Sequence, residues 1–236
     1  MRSSGAPLVS VVVPCYNTER YIGEAIDSII AQVCESIQIV VIDDGSTDRS
    51  MEIVRGFGDR VEYRSQLNAG ISAARNTGIA IARGRYLAFL DADDVWTPTS
   101  LNARLDRLRQ GAECVYGGVE HFVSPDLSAE ERDRFASIPA TMTGRLAGAM
   151  LIDRSAFHRV GLFDPVLKIG EMVDWVARAD HTRIGTALID DVVLRRRIHA
   201  NNTVLRLKDQ QGAYLKALKA SLARRRDAAL GQGGGT

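Results

Sequence analysis

The chain has 236 residues, 45% of them hydrophobic and 25% charged, with 30 lysines and arginines against 29 aspartates and glutamates. That length suits one sizeable α/β unit with an ordinary buried core and excludes a wholly disordered chain. The formal net charge of +1 gives no overall pull on nucleic acid, so any anion site must be local.

Residues 8–13, LVSVVV, form a β-branched run that stops at Pro14, as a buried strand entering a loop does. Ile22, Ala25, Ile26, Ile29, Ile30 and Val33 recur at helical spacing and predict a one-faced helix. IQIVVI, 37–42, is a second strand, ending in Asp43, Asp44 and Gly45, and Ser46 is placed to cap a helix running to about Phe57. VEYR, 61–64, is a short third strand, and 68–84 reads as a loop and a helix stopped by Gly84. YLAFLDADDVW, 86–96, is then an apolar strand that runs into Asp91, Asp93 and Asp94. Thr97 and Pro98 supply an N-cap and a first-turn proline for a helix to about Gln110.

The second half is less regular. Residues 113–122 read as a strand, and Ser128 with Glu131 makes a capping box. Residues 145–153 are strand-like, 154–164 a helix ended by Gly161, 170–180 a helix, 192–199 a strand and 208–226 a basic amphipathic helix before a glycine-rich tail. Cys15, Cys34 and Cys114 are odd in number and lack metal-ligand spacing, so packing in a reducing compartment is expected. The first ten residues carry one arginine and no long apolar stretch, and no segment nears the roughly 20 apolar residues that cross a bilayer. The expected location is cytoplasmic.

Successive strand-then-helix units predict a doubly wound, mostly parallel sheet whose ligands bind beyond the carboxyl ends of the strands. Pro14 to Asn17, Asp43–Asp44 and Asp91 to Asp94 all fall at such ends. A D-x-D there suits a hard divalent cation, because Mg²⁺ is usually held by one or two carboxylates plus substrate phosphates. Taken alone, such a turn is often only a solvated acidic loop.

In order, VSVVVPCYN, IVVIDDGSTDRS, NAGISAARNTGI, YLAFLDADDVW and RLAGAMLIDRSAFHRVGLFD resemble the family 2 glycosyltransferases of the GT-A fold over roughly residues 8–205. The resemblance implies transfer of a sugar, with inversion, from a nucleoside diphosphate donor, UDP favoured, to an acceptor hydroxyl, assisted by Mn²⁺ or Mg²⁺. The acceptor would be a glycan, a lipid-linked or a small molecule. It implies that Tyr16 stacks on the donor base, that its loop neighbours Pro14 and Asn17 belong to the nucleotide-sugar site, that Asp44 bonds base or ribose, and that Asn68, Gly70 and Arg75 line the nucleotide. A surface ion pair is the other reading of Arg75. Asp91 and Ala92 would face ribose or sugar, Asp93 would bind the metal, and Asp94 would brace the loop. His199 matches a position near the diphosphate that ligates metal or touches the leaving group. One or two of Arg195, Arg196 and Arg197 would face the diphosphate, since neighbours alternate along a strand.

Family members often open the acceptor-side helix with Glu-Asp, whereas this chain has Glu171 and then Met172. Asp174 shares a helix face with Glu171 at i, i+3 spacing, so both are candidate bases, Asp174 the favoured one. The expected organisation is one glycosyltransferase domain over 1–226: a nucleotide-sugar half (8–123), an acceptor and catalytic half (124–205) and a C-terminal helix (206–226), then a flexible tail at 227–236. The basic helix suits an anionic membrane face, its own domain or a second copy of the chain.

Three other functions compete. A haloacid-type phosphohydrolase would use Asp91 as nucleophile and Asp93 as acid and base, with Lys168 and Asp190–Asp191 following in order, but its signature usually opens the domain. A dinucleotide oxidoreductase would need G-x-G-x-x-G where Pro14-Cys15-Tyr16-Asn17 stands. Met172 keeps open a nucleotide-sugar binder without a catalytic base.

Overall fold

The computed structural model describes residues 5–34, 36–200 and 202. Strands β1 (Val9–Cys15), β2 (Ile37–Asp43) and β3 (Val61–Ser65) alternate with helices α1 (Ile22–Ile30), α2 (Ser50–Gly56) and α3 (Ile71–Ile81). Then come β4 (Tyr86–Phe89), the two-residue β5 (Val95–Trp96), α4 (Ser100–Arg109), β6 (Cys114–Val123), α5 (Ala129–Phe135) and β7 (Thr141–Thr143). The remaining elements are β8 (Met150–Asp153), α6 (Arg154–Val160), α7 (Glu171–His181) and β9 (Thr186–Ile198). The expected helix at 208–226 lies outside the described residues.

One curled sheet runs in the order β3-β2-β1-β4-β8-β6-β9-β5, with β7 on β6. The block from β3 to β4 is parallel, β8 is antiparallel to both β4 and β6, and β9 returns parallel to β6. Most strands thus point one way, as the strand-helix alternation predicts. The central strands read as continuous apolar runs because helices cover both faces. Val9, Val11 and Val13 join the core under α1, α2 and α4, whereas Val12 turns to the other face, against α3 and the cluster of Phe89, Phe157, Phe163 and Trp175. That alternation is the period-2 geometry of a strand.

Three expected boundaries shift for reasons of tertiary contact. Ser46 does not cap α2, because its hydroxyl receives the Asn17 N–H at 3.0 Å; Asp48 instead receives the Ser50 N–H at 2.9 Å. Thr97 does not cap α4, which starts at Ser100, because its hydroxyl donates to the Val192 carbonyl at 2.7 Å. Gly84 does not stop α3, which ends at Ile81; a Cβ there would sit 2.4 Å from the Ser10 nitrogen, so the glycine serves the close approach of its chain to β1. The capping box of Ser128 and Glu131 and the left-handed Gly161 (φ 95°) after α6 stand as expected. Among the described residues, no helix is long and apolar enough to cross a membrane.

Candidate active site

The carboxyl ends of β2, β1 and β4 are neighbours in the sheet and define the candidate crevice, and each loop there is tied to the next. Asn17, in the left-handed region at φ 51°, accepts the Thr47 N–H on its side-chain oxygen at 2.8 Å. It therefore braces the first loop against the second, and the ring of its neighbour Tyr16 is 51% exposed. Pro14 is buried within β1, in register with Ile42.

Asp44 is 4% exposed, and its carboxylate accepts the Ala69 N–H at 2.9 Å, the Gly70 N–H at 2.8 Å and the Gln66 side chain at 2.8 Å. Its present work is to shape the loop that carries Asn68 and Gly70 into α3. Gly70 takes φ 92° there, a conformation that favours glycine, and Asn68 is exposed.

Arg75, on α3, is not a surface ion pair. Only 2% exposed, it donates to Asp91 Oδ1 at 2.7 Å and to Glu171 Oε1 at 2.8 Å, and its guanidinium lies 5.5 Å from the Phe163 ring centre. Burial works against its charge, but the two carboxylates outweigh it and raise its pKa. Its Nε is buried without a partner. One buried cation thus joins the acid at the end of β4 to the acid that opens α7.

Beyond β4 the three aspartates part ways. Asp91 is partly exposed and faces Arg75. Ala92 is buried at 3%, its methyl group in the core beneath the turn, so only its backbone can face a ligand. Asp93 Oδ2 stands 2.9 Å from His199 Nε2, with Asn202 Nδ2 at 3.4 Å. Asp94 points inward and accepts the Arg197 N–H at 2.9 Å; burial first, then the charges of Asp93 and Asp91, push it well above the usual carboxylate range. It braces the loop, as the resemblance implied. Trp96 closes the turn, donating from its indole to the Gly148 carbonyl at 2.9 Å.

On the acceptor side the two candidate bases differ in burial. Asp174 is 0% exposed and bonded to Arg178 Nε at 3.0 Å, while the same guanidinium holds the Val160 and Leu162 carbonyls. A base must come within hydrogen-bond reach of the proton it takes, and the Asp174 carboxylate is buried where it pairs with Arg178 one turn on. Glu171 opens α7 after Gly170, retains 14% exposure and faces the crevice through Arg75. Met172 is half-buried against the apolar cluster around Trp175.

Of the three arginines on β9, Arg195 points outward to Glu120 at 2.8 Å and Arg196 is half-buried, while Arg197 is buried and reaches the Asp93 carbonyl at 2.9 Å and the Glu24 carboxylate. Sequence reasoning named Arg197 only as one of three arginines that could face the diphosphate, and it missed Tyr21, Glu24 and Asn202 as parts of this corner. The signal for Arg197 was its place two residues before His199; Tyr21 and Glu24 carried none. His121, His158 and His181 lie apart from the crevice; His121 meets the Pro139 carbonyl at 2.8 Å and His158 sits edge-on to Phe157.

Residues 10–169 match the family described as Glycosyl transferase family 2, and the chain belongs to that family. It is 32% identical over 224 residues to an uncharacterized glycosyltransferase of Rickettsia prowazekii, covering 89% of this chain and 70% of that one. A Rickettsia typhi counterpart is 31% identical over the same shares. In structure the chain resembles S. aureus TarS 1-349 in complex with UDP-GlcNAc, with a TM-score of 0.73 at 17% identity, over 90% of this chain and 65% of that one. The fold is therefore that of the GT-A glycosyltransferases, and the phosphohydrolase and oxidoreductase alternatives fall away.

Proposed function

We propose that the chain is an inverting glycosyltransferase that moves a sugar from a nucleoside diphosphate donor, UDP-sugar first among them, to the hydroxyl of a glycan, lipid-linked or small-molecule acceptor in bacterial glycan or glycoconjugate synthesis. Family membership supports the reaction class, and the TarS structures in complex with UDP and UDP-GlcNAc support the donor. The observation that carries the reading is the Asp91–Arg75–Glu171 bridge, which sets an acceptor-side acid beside the donor-side turn.

Asp93 and His199 bring a carboxylate oxygen and an imidazole nitrogen together at 2.9 Å. No group of three or more His, Cys, Asp or Glu side chains suited to a metal occurs among the described residues. The pair fits Mn²⁺ or Mg²⁺ when diphosphate oxygens and waters complete the shell. Asp93 and His199 would hold such a cation, which would supply positive charge beside the leaving diphosphate. Glu171 takes the acceptor proton as the new C–O bond forms and the bond to the diphosphate breaks. Arg75 holds that carboxylate in place.

The test is transfer or hydrolysis of a UDP-sugar panel with and without Mn²⁺. Glu171→Gln should lower the rate by about 10² to 10⁴-fold with UDP affinity unchanged, the range expected for a general base. A full rate in this variant would move the base elsewhere. Met172, apolar where many relatives carry the second acid, favours the reading as a non-catalytic binder; cation-dependent UDP binding without turnover on any acceptor would establish it.

A further inference from the structure

We infer that Arg197 is a positioning residue that clamps the Asp91–Asp94 turn to α1 and to the end of β9, and thereby fixes where Asp93 and His199 present their ligand atoms. This rests on the cation reading above.

Arg197 is 4% exposed and anchors in three directions. Its backbone N–H reaches Asp94 Oδ1 at 2.9 Å, its Nε reaches the Asp93 carbonyl at 2.9 Å, and its Nη2 pairs with Glu24 on α1. The guanidinium carbon lies over the Tyr21 ring, 4.9 Å from its centre, and over the Phe122 ring, 4.5 Å from its centre. Tyr21 in turn packs on the His199 ring at 4.8 Å. The Arg197 carbonyl accepts Asn202 Nδ2 at 3.1 Å, and Asn202 Oδ1 receives the His199 N–H at 2.5 Å. Asp93 is thus one bond from Arg197, and His199 is held through Tyr21 and Asn202.

Arginine suits this place for a physical reason. Its planar head stacks on two rings while donating along its edge, which a lysine ammonium does not do. Glu24 is 58% exposed, so the ion pair itself adds little. What the guanidinium adds is the location of the turn. Outer groups that orient metal ligands typically change metal affinity by about 10 to 100-fold.

The experiment compares full-length wild type, Arg197→Met, Arg197→Lys and Arg195→Ala by Mn²⁺ paramagnetic resonance, UDP calorimetry with and without Mn²⁺, and amide exchange over residues 91–96. Arg197→Met should lose about 10 to 100-fold of the Mn²⁺-dependent UDP affinity, with little change in metal-free UDP binding and faster exchange in the turn. Arg197→Lys should fall between, and Arg195→Ala should match wild type. Wild-type metal affinity and wild-type exchange in Arg197→Met would overturn the clamp. If wild-type UDP binding ignores Mn²⁺, the cation reading fails by itself; faster exchange in Arg197→Met then still supports the clamp, and unchanged exchange overturns it. Should Arg197→Met not fold, Arg197→Lys carries the same comparisons.

Discussion

At the scale of single residues, burial separates two carboxylates that helical spacing makes look equivalent. Asp174 and Glu171 share a face of α7, yet one is sealed against Arg178 and the other meets the crevice. Opposite phenotypes should follow. Asp174→Ala leaves a largely buried guanidinium without its acid and should cost on the order of 3 kcal/mol in urea unfolding. Glu171→Gln, which leaves Arg75 its bond to Asp91, should cost less stability than Asp174→Ala and fail in transfer. Asp44 behaves as a loop anchor in the same sense. Asp44→Ala strands the Ala69 and Gly70 N–H groups, so a stability loss of about 1 to 3 kcal/mol should accompany any loss of donor affinity. Weakened donor binding at wild-type stability would instead make Asp44 a direct ligand contact.

At the scale of elements, the sheet and its helices are set by close approach and by caps. Gly78 lets α3 lie on β1, since a Cβ there would stand 2.3 Å from a Val12 methyl. Gly78→Ala should therefore destabilise by about 1 to 3 kcal/mol, read by chemical denaturation, because Val12 is fully buried and has nowhere to move. Asp48 ties α2 to the loop before α1, accepting the Ser50 N–H, the Ser50 hydroxyl at 2.5 Å and the Glu19 N–H at 2.9 Å. Burial opposes its ionisation, but these bonds prevail and lower its pKa. An acid with a depressed folded pKa adds stability that is present above its unfolded value, near 3.9, and is lost as pH falls through the folded one. Asp48→Ala should be less stable at neutral pH and should lose less stability on acidification below about pH 4, measured by denaturant midpoints across pH.

At the scale of the whole molecule, the crevice is where the parallel block meets the later strands and α7, and Arg75 is the joint between them. Arg75→Met should cost about 3 to 5 kcal/mol, the usual penalty for breaking a buried pair, because Asp91 and Glu171 are left facing each other. Adding Glu171→Gln should recover part of that loss, and a double-mutant cycle should show coupling above 0.5 kcal/mol. Strict additivity would mean that the bridge does not join the two parts. A second long-range joint is His199 on Asp93, 106 residues apart in sequence, brought together because β9 runs parallel to β6 and ends beside the turn.

The sequence by itself determined the parallel strand-helix block, its crevice of strand-end acids and the family, because apolar periodicity, β-branched runs and short ordered motifs are local properties of the chain. It did not decide between Asp174 and Glu171, the inward arginine among Arg195, Arg196 and Arg197, or the caps of α2 and α4. Those depend on which groups a distant segment buries or bonds: Arg178 takes Asp174, Glu24 and the Asp93 carbonyl take Arg197, and Asn17 and Val192 take the hydroxyls of Ser46 and Thr97. Spacing along a helix or strand places a side chain on a face, and only the packing of the other elements makes that face buried or open.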